Sequence, residues 1–374
     1  MRNVYIISDN IISPIGLTTD ENFVQLTKGV SGIKRYHNPG LSEKSFFASL
    51  FDGTDIFISE TACTKFEQLL IASITKALDN TDIKVNDRKT ILIISSTKGN
   101  ISLLETENHT PDLQKRISMP ASAKIVADHF GFVNQPVVIS NACISGLMAI
   151  ITGMRLIQSG QYENAVIVGA DIISKFVLSG FQAFQAISAV PCKPFDINRN
   201  GISLGEGAAT MILSANKKNS QAIKVAAGSV SNDANHISAP SQTGEELSHA
   251  ILKALEDAHV LPAAIGFISA HGTATMYNDE MEAKAIKLAN LETVPVNSLK
   301  GYYGHTLGAA GLIESIISIE SLKRNLLIPT MGFEESGTTI PINISTELVE
   351  GDFKNCLKTA SGFGGCNAAV VFSK

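Results

Sequence analysis

The sequence of 374 residues contains no tryptophan, and aromatic residues make up only 6% of it. Charged residues are also scarce at 17%, and the formal net charge is −5. Binding to a phosphate backbone needs a basic surface, so this balance argues against nucleic acid, although a local basic patch would still suffice for an acidic protein partner. Hydrophobic residues account for 44% of the chain, which supports a large buried interior and excludes intrinsic disorder.

A hydrophobic run long enough to cross a membrane is also missing. The most apolar stretch, residues 137–154, is interrupted by polar residues such as Ser140 and Asn141, whereas a spanning helix requires about 20 mostly apolar residues. The apolar run near the amino terminus is too short for the core of a signal peptide. We therefore expect a cytoplasmic protein.

Cysteine is sparse and irregularly placed. None of the five cysteines stands in a C-x-x-C spacing, so neither a disulfide framework nor a zinc site is predicted. The glycine-rich segment 362–365 matches neither G-x-x-x-x-G-K-[ST] nor G-x-G-x-x-G, so it is not a phosphate-binding loop.

What the sequence does contain is an alternation of short apolar runs and helical patterns, which favours an α/β fold. Buried strands are predicted at 90–94, 137–139, 165–168, 223–227 and 266–270, and helices at 65–78, 146–157, 244–258, 279–289 and 309–322. The pattern is consistent with two similar halves, residues 1–215 and 222–374, although their sequence similarity is faint.

Cys143 lies in the small-residue motif 140–146 (Ser-Asn-Ala-Cys-Ile-Ser-Gly), between a predicted strand and a predicted helix. The partial positive charge of a helix N-terminus stabilises a thiolate, which would make Cys143 a nucleophile. The alternative is that it packs as a small buried apolar residue. Local sequence leaves both open for Cys143, whereas the other cysteines lack this setting and are interpreted as packing residues.

Two histidines have comparable surroundings. His271 follows a predicted strand in 270–275 (Ala-His-Gly-Thr-Ala-Thr), and His305 precedes a predicted helix within the glycine-rich segment 300–311. An imidazole so placed can donate a hydrogen bond to a substrate carbonyl or exchange a proton near neutral pH. Each could equally be a loop histidine bonded to backbone. His236 is a weaker candidate.

Lys300 stands in an apolar segment and needs a partner if it is buried. Glu314 and Glu282 are both candidates, and the alternative is a surface ion pair of little consequence. The segment 362–365 is either an ordinary turn or a turn whose backbone N–H groups face a developing oxyanion.

Taken in order, these motifs resemble the β-ketoacyl-[acyl-carrier-protein] synthases of the thiolase superfamily. The resemblance extends over essentially the whole chain and includes segments 193–196 (Lys-Pro-Phe-Asp), 204–208 (Leu-Gly-Glu-Gly-Ala) and 362–367 (Gly-Phe-Gly-Gly-Cys-Asn). It implies a thiolase-like αβαβα five-layer fold from two duplicated halves. It also implies acyl carrier protein as partner and a homodimer, or a heterodimer with a related subunit. No metal or nucleotide cofactor is implied, since the substrates are carried on the phosphopantetheine of the carrier protein.

The resemblance also implies residue roles. Cys143 matches the nucleophile that accepts an acyl chain, and His271 and His305 match the pair that binds the malonyl thioester and promotes its decarboxylation. The resulting enolate then attacks the Cys143 thioester in a Claisen condensation. Lys300 matches the family lysine, with Glu314 in its supporting network.

Three further residues have roles by the same resemblance. The backbone N–H groups of Cys143 and Phe363 match the oxyanion hole, and the Phe363 side chain matches a gate beside the nucleophile. Thr273 and Thr275 match residues that contact the pantetheine arm.

Related enzyme classes fit less well. Synthases primed by coenzyme A have Asn where His305 stands, and thiolases use a second, late cysteine. Cys366 is late, but we interpret it as a packing residue. Chain-length factors lack the nucleophile, so Cys143 argues against that role. Two alternative functions therefore remain: a non-catalytic, chain-length-factor-like partner subunit, and a thiolase-like enzyme using coenzyme A thioesters.

The chain also departs from the common family pattern. Its loops at 106–119 and 188–192 are short, and Lys98 and Asn100 are expected to place polar groups near a normally apolar acyl tunnel. Few basic residues remain near Lys65, so carrier-protein docking is expected to differ. These departures favour specialised polyketide or aryl polyene synthesis over fatty acid synthesis.

Overall fold

A computed structural model describes residues 2–51, 63–217, 222–234 and 238–374; His236 lies outside these ranges. The helices are α1 Thr19–Thr27, α2 Lys65–Leu78, α3 Leu103–Thr106, α4 Pro111–Arg116, α5 Met119–Phe130, α6 Ser145–Gln158, α7 Lys175–Ala183, α8 Glu245–Ala258, α9 Met276–Leu288, α10 Lys300–Tyr303 and α11 Ala310–Arg324. The strands are β1 Tyr5–Ile12, β2 Lys34–Tyr36, β3 Phe46–Ser49, β4 Thr90–Ser95, β5 Val137–Ile139, β6 Asn164–Asp171, β7 Leu204–Gly205, β8 Gly207–Ser214, β9 Lys224–Asn232, β10 Phe267–Ser269, β11 Val296–Asn297, β12 Leu326–Leu327, β13 Val349–Glu350, β14 Asn355–Gly362 and β15 Cys366–Ser373. None of the described helices is both long and apolar enough to cross a membrane.

The main sheet consists of two five-stranded units with the same internal order. One unit runs β1-β8-β6-β4-β5 and the other β9-β15-β14-β10-β11. In both units the first two pairings are antiparallel and the last two are parallel. The units meet where β1 pairs with β9 at Tyr5 and Lys224. One supersecondary unit therefore occurs twice in the chain.

Three hydrophobic clusters place helices on both faces of each unit. One outer cluster joins α2 and α5 to the first unit, and the other joins α8 and α9 to the second. The central cluster lies between the units and contains α6 and α11. The layers are therefore helix, sheet, helix, sheet, helix, and the predicted αβαβα architecture is confirmed.

Local sequence explains most of the element boundaries. The continuous apolar run of β4 is buried along its whole length, as expected for a strand covered on both faces. A capping box between Thr64 and Glu67 begins α2 where the sequence predicts it. β1 continues through a polar segment to Ile12, because the Ser8 hydroxyl donates to the carbonyl of Ala77 and the segment stays paired with β8.

The two central helices approach closely at their N-termini. A Cβ atom on Gly146 would lie 2.7 Å from the nitrogen of Leu312, and one on Gly311 would lie 2.8 Å from the nitrogen of Leu147. Only glycine fits at such an approach. Cys143 and His305 precede these two helix starts, so the crossing of α6 and α11 brings them to one place.

Candidate active site

Three reactive side chains meet in one buried cavity. Cys143 Sγ and one ring nitrogen each of His271 and His305 all lie within 4.8 Å of one another. The three residues line a cavity of about 380 Å³, and they are 8%, 2% and 2% exposed. The structure thus unites motifs that are 128 and 34 residues apart along the chain.

Cys143 lies in a tight turn between β5 and α6. Ala142 before it has a φ of 44°, and the turn is closed by Ser145, whose hydroxyl donates to the carbonyl of Ala142 at 2.6 Å. Burial raises the pKa of the Cys143 thiol to about 12, although the Lys300 charge and the Phe363 backbone N–H oppose that shift. Desolvation therefore outweighs the stabilisation that the helix N-terminus offers a thiolate, and the resting thiol is protonated.

His305 is held by the other half of the molecule. Its backbone N–H donates to the carbonyl of Ser203 at 2.7 Å, and its carbonyl accepts from the N–H of Gly205 at 3.0 Å. Its Nδ1 atom accepts from the N–H of Leu307 at 3.2 Å. Since Nδ1 is an acceptor, the neutral ring carries its proton on Nε2.

His271 is the same tautomer as His305, but a different contact determines it. The Lys300 ammonium lies 3.5 Å from its Nδ1 atom, so this nitrogen is again the acceptor and Nε2 carries the proton. The two imidazole rings meet edge to face, with centroids 5.1 Å apart. The site therefore holds two neutral Nε2–H donors.

The charge behind the histidines keeps them neutral. Burial lowers the pKa of both His271 and His305 well below the usual value, and the Lys300 charge lowers both further. Neutral imidazoles that act only as donors are suited to hold a carbonyl or enolate oxygen.

Lys300 is buried and paired with Glu314, which settles the choice of partner that the sequence left open. Its ammonium also donates to the carbonyl of His271 at 2.8 Å. Glu282, the other candidate, instead accepts the backbone N–H groups of His271 and Gly272 at 2.8 and 2.6 Å. Each acidic residue therefore fixes a different part of the His271 turn.

The turn after β14 contacts the nucleophile directly. The backbone N–H of Phe363 makes a hydrogen bond to Cys143, and a Cβ on Gly362 would lie 3.0 Å from the nitrogen of Cys143. The N–H groups of Cys143 and Phe363 are thus close neighbours at the sulfur. This arrangement suits an oxyanion that forms on a carbon bonded to that sulfur.

The cavity mouth combines hydroxyls with an aromatic wall. Thr273 and Thr275 both line the cavity, and their hydroxyls are 2.9 Å apart. The Phe363 ring stacks on Phe181 at a centroid distance of 5.8 Å and meets Phe184 edge-on at 5.5 Å. A flat or extended apolar group entering here would contact three aromatic rings.

Lys98 and Asn100 are absent from the lining of this cavity, and their expected place near an acyl tunnel stays a prediction. Lys98 is exposed. The Asn100 amide instead donates to Glu67 and to Ser122, at 2.9 Å each, in a separate buried network. Its polarity is thereby satisfied away from the nucleophile.

Asp171 anchors the polar loop that carries Lys98, a role that the local sequence pattern did not indicate. Its carboxylate accepts from the Ser96 hydroxyl at 2.6 Å and from the Thr97 N–H at 3.0 Å. It also accepts from the N–H of Gly308 at 2.7 Å. The loop after β4 therefore anchors the segment that follows His305.

Cys366 is a packing residue in the structure as well. Its thiol donates to the carbonyl of Phe363 at 3.3 Å, and it is absent from the cavity lining. One thiol and two imidazoles at 4.8 Å also form a geometry that a soft divalent cation accepts. The neighbouring positive charge of Lys300 opposes the binding of such a cation.

Comparison with known proteins identifies the class. A family model for the N-terminal domain of beta-ketoacyl synthases matches residues 1–219, and the model for the C-terminal domain matches residues 222–334. The chain belongs to the β-ketoacyl synthase family, the acyl-transferring condensing enzymes of the thiolase superfamily. The resemblance inferred from the motifs is thereby confirmed.

Individual relatives agree with this assignment. The 3-oxoacyl-[acyl-carrier-protein] synthase 2 of Vibrio harveyi is 30% identical over 411 residues, covering 100% of this chain and 99% of the relative. A ketosynthase in complex with its chain length factor from Xenorhabdus doucetiae matches with a TM-score of 0.88 and 25% identity, covering 100% and 98%. A complex of a type II polyketide acyl carrier protein with its ketosynthase matches in fold with a TM-score of 0.88 and 24% identity, covering 100% and 99%.

Proposed function

We propose that this enzyme takes an acyl chain from acyl carrier protein onto Cys143 and extends it by decarboxylative Claisen condensation with malonyl-acyl-carrier protein. The observation that carries the proposal is the meeting of one thiol and two neutral imidazole donors within 4.8 Å in a buried cavity. A thiol that carries the chain and a donor pair that polarises a second thioester are what this reaction needs.

In the first step the sulfur of Cys143 attacks the acyl thioester of the carrier protein. The bond from the acyl carbon to the pantetheine sulfur breaks, and the proton of the Cys143 thiol ends on the departing pantetheine thiol. Because the resting thiol is protonated, this proton must leave as the new bond forms.

In the second step the malonyl thioester occupies the same cavity. The Nε2–H groups of His271 and His305 donate to its thioester carbonyl oxygen. The bond to the terminal carboxylate then breaks, CO₂ leaves, and the electron pair forms an enolate on the held oxygen. Two fixed donors in a dry site stabilise this charge at no cost in reorganisation.

In the third step the enolate carbon attacks the acyl carbon on Cys143. This attack forms the new carbon–carbon bond, and the N–H groups of Cys143 and Phe363 hold the oxyanion that results. Collapse of the oxyanion restores the carbonyl and breaks the bond between the acyl carbon and the Cys143 sulfur. The Cys143 sulfur is expelled and takes up a proton, which returns the site to its resting state.

The remaining predicted residues support these steps. Lys300 and Glu314 fix the His271 turn from behind, and Thr273 and Thr275 bond the pantetheine arm. We assign no metal and no nucleotide cofactor to the reaction.

Acyl carrier protein is the proposed partner, as in the name of the Vibrio harveyi relative. We also propose a dimer, either of two copies or with a related subunit. β5 is the outermost strand of its unit and pairs only with β4 among the described residues, so its other edge is open to a partner strand. The proposed location is the cytoplasm, and the proposed domain halves remain 1–215 and 222–374.

For the substrate, we propose a polyketide or aryl polyene chain rather than a saturated fatty acid. The support is the aromatic wall of Phe181, Phe184 and Phe363, since conjugated chains stack on aromatic rings better than saturated chains do.

The test is to incubate the enzyme with acyl carrier proteins that carry a polyenoyl or a saturated chain of equal length. Mass spectrometry of the peptide containing Cys143 should show the added acyl mass, which builds up faster with the polyenoyl chain. Cys143→Ala should abolish the adduct, and Cys63→Ser, outside the cavity, should leave it unchanged.

Absence of the adduct would refute the proposed function and favour a non-catalytic partner subunit. Equally fast labelling by acyl-coenzyme A would favour the thiolase-like alternative. Equal rates for the two chains would refute the proposed substrate preference alone.

A further inference from the structure

A second lysine is buried behind the histidines, and the mechanism above does not use it. Lys358 lies in the middle of β14 and is 0% exposed. Burying an ammonium group is costly unless it is paired and hydrogen-bonded.

The contacts of Lys358 complete a network around the His271 turn. Its ammonium donates to the carbonyls of Ser269 and Ala270 at 3.1 and 3.0 Å, and Lys300 donates to the next carbonyl, that of His271. The two lysines therefore hold three successive carbonyls at the end of β10.

Both lysines share one carboxylate. Lys300 pairs with Oε1 of Glu314, and Lys358 lies 2.8 Å from Oε2. Three oxygens thus lie within 3.1 Å of the Lys358 nitrogen, which suits an ammonium with its three N–H groups. Two cations and one anion leave this cluster with a net positive charge directly behind the imidazoles.

Other ionisable groups also surround the two rings, but burial and neighbouring positive charges are what hold the pKa of each ring down. The groups that face them from the packed elements are Cys143 before α6, Asp279 and Glu282 on α9, Lys300 and Tyr303 on α10, Glu314 on α11 and Lys358 on β14. The two carboxylates on α9 are directed at backbone N–H groups, those of His271 and Gly272 for Glu282 and those of Phe195 and Thr273 for Asp279.

We propose that Lys358 is a positioning residue that fixes the end of β10 and keeps His271 and His305 as neutral donors in mildly acidic conditions, where Lys300 alone would not. This inference rests on the proposed role of the two histidines. The Lys358 charge is among the causes that hold the pKa of each imidazole below its usual value, after burial and Lys300.

The variant Lys358→Met tests the charge with a side chain of similar length. Glu314 keeps its Lys300 partner, so no carboxylate is left unpaired. Without the second cation a protonated imidazole is less unfavourable, and the pKa of both rings should rise. The acid limb of malonyl-acyl-carrier-protein decarboxylation should then move up, on the order of one pH unit.

Two further variants serve as controls. Lys358→Arg keeps the charge, and its acid limb should stay where the wild-type limb lies. Lys253→Met removes an exposed cation from α8 and should shift nothing, since a surface charge is screened by solvent.

A second readout does not depend on turnover. Ring titration of His271 and His305 by NMR should show both below the ordinary value near 6.5 in the wild type, and higher in Lys358→Met. The proposal would be overturned if Lys358→Met lost decarboxylation rate equally at every pH while the titrations of both rings stayed unchanged. If the variant does not fold, a ring pKa at the ordinary value in the wild type would overturn it. If the wild type fails to decarboxylate malonyl thioesters, the proposed function falls, while the ring titrations still decide the role of Lys358.

Discussion

The reacting side chains on the two walls of the cavity are all uncharged at rest, but for different reasons. The thiol wall, formed by Cys143 and the turn at Gly362 and Phe363, is built from small residues and backbone, and it is chiefly burial that keeps its sulfur protonated. The histidine wall, formed by His271 and His305, is backed by Lys300, Lys358 and Glu314. Burial and that positive charge together keep its imidazoles neutral.

The difference shows where this site places its charge. The three reacting side chains are uncharged at rest, and the charges of Lys300, Lys358 and Glu314 lie one layer behind the imidazoles, where they are paired. The charge of the enolate or the oxyanion therefore develops next to donors that are already in position.

The largest effect is expected from breaking the charged layer behind the histidine wall. Glu314→Gln leaves Lys300 and Lys358 buried without their shared carboxylate, which should lower the free energy of unfolding by about 3–5 kcal/mol. Urea denaturation measures it. Asp171→Asn is the matched control, because that buried carboxylate faces neutral donors, and its cost should be about 1–3 kcal/mol. A smaller loss for Glu314→Gln than for Asp171→Asn would contradict the assigned charge pairing.

A smaller effect, on the alkylation rate of Cys143, tests the protonation state of the thiol wall. With the pKa of Cys143 near 12, alkylation by iodoacetamide should speed up about tenfold for each pH unit between about pH 7 and 9, since only the thiolate reacts. Peptide mass spectrometry resolves Cys143 from the other cysteines. A rate that levels off below pH 8 would mean that the helix N-terminus does hold a thiolate.

The sequence was sufficient for the parts of the molecule that local pattern controls. The apolar run of β4 and the helical pattern of α2 lie where they were expected. The grouping of Cys143, His271 and His305 followed from the order of their motifs.

Features that depend on distant partners were not visible in the same way. Lys358 is a single lysine shortly before the turn 362–365 in the sequence, and only the fold brings it to Glu314, which is 44 residues earlier. Asp171 closes a strand and reaches Gly308 across the molecule. The charge state of Cys143 could not be predicted from local sequence, because burial depends on every layer of the fold and the helix dipole on one element.

The most direct test of the division between the two walls is to measure decarboxylation and acylation separately in Cys143→Ala and in His305→Ala. Cys143→Ala should lose acylation and condensation but still decarboxylate malonyl-acyl-carrier protein. His305→Ala should still accept an acyl chain on Cys143, while its decarboxylation falls roughly 10²- to 10⁴-fold. Loss of both activities in each correctly folded variant, or unchanged decarboxylation in His305→Ala, would contradict the account.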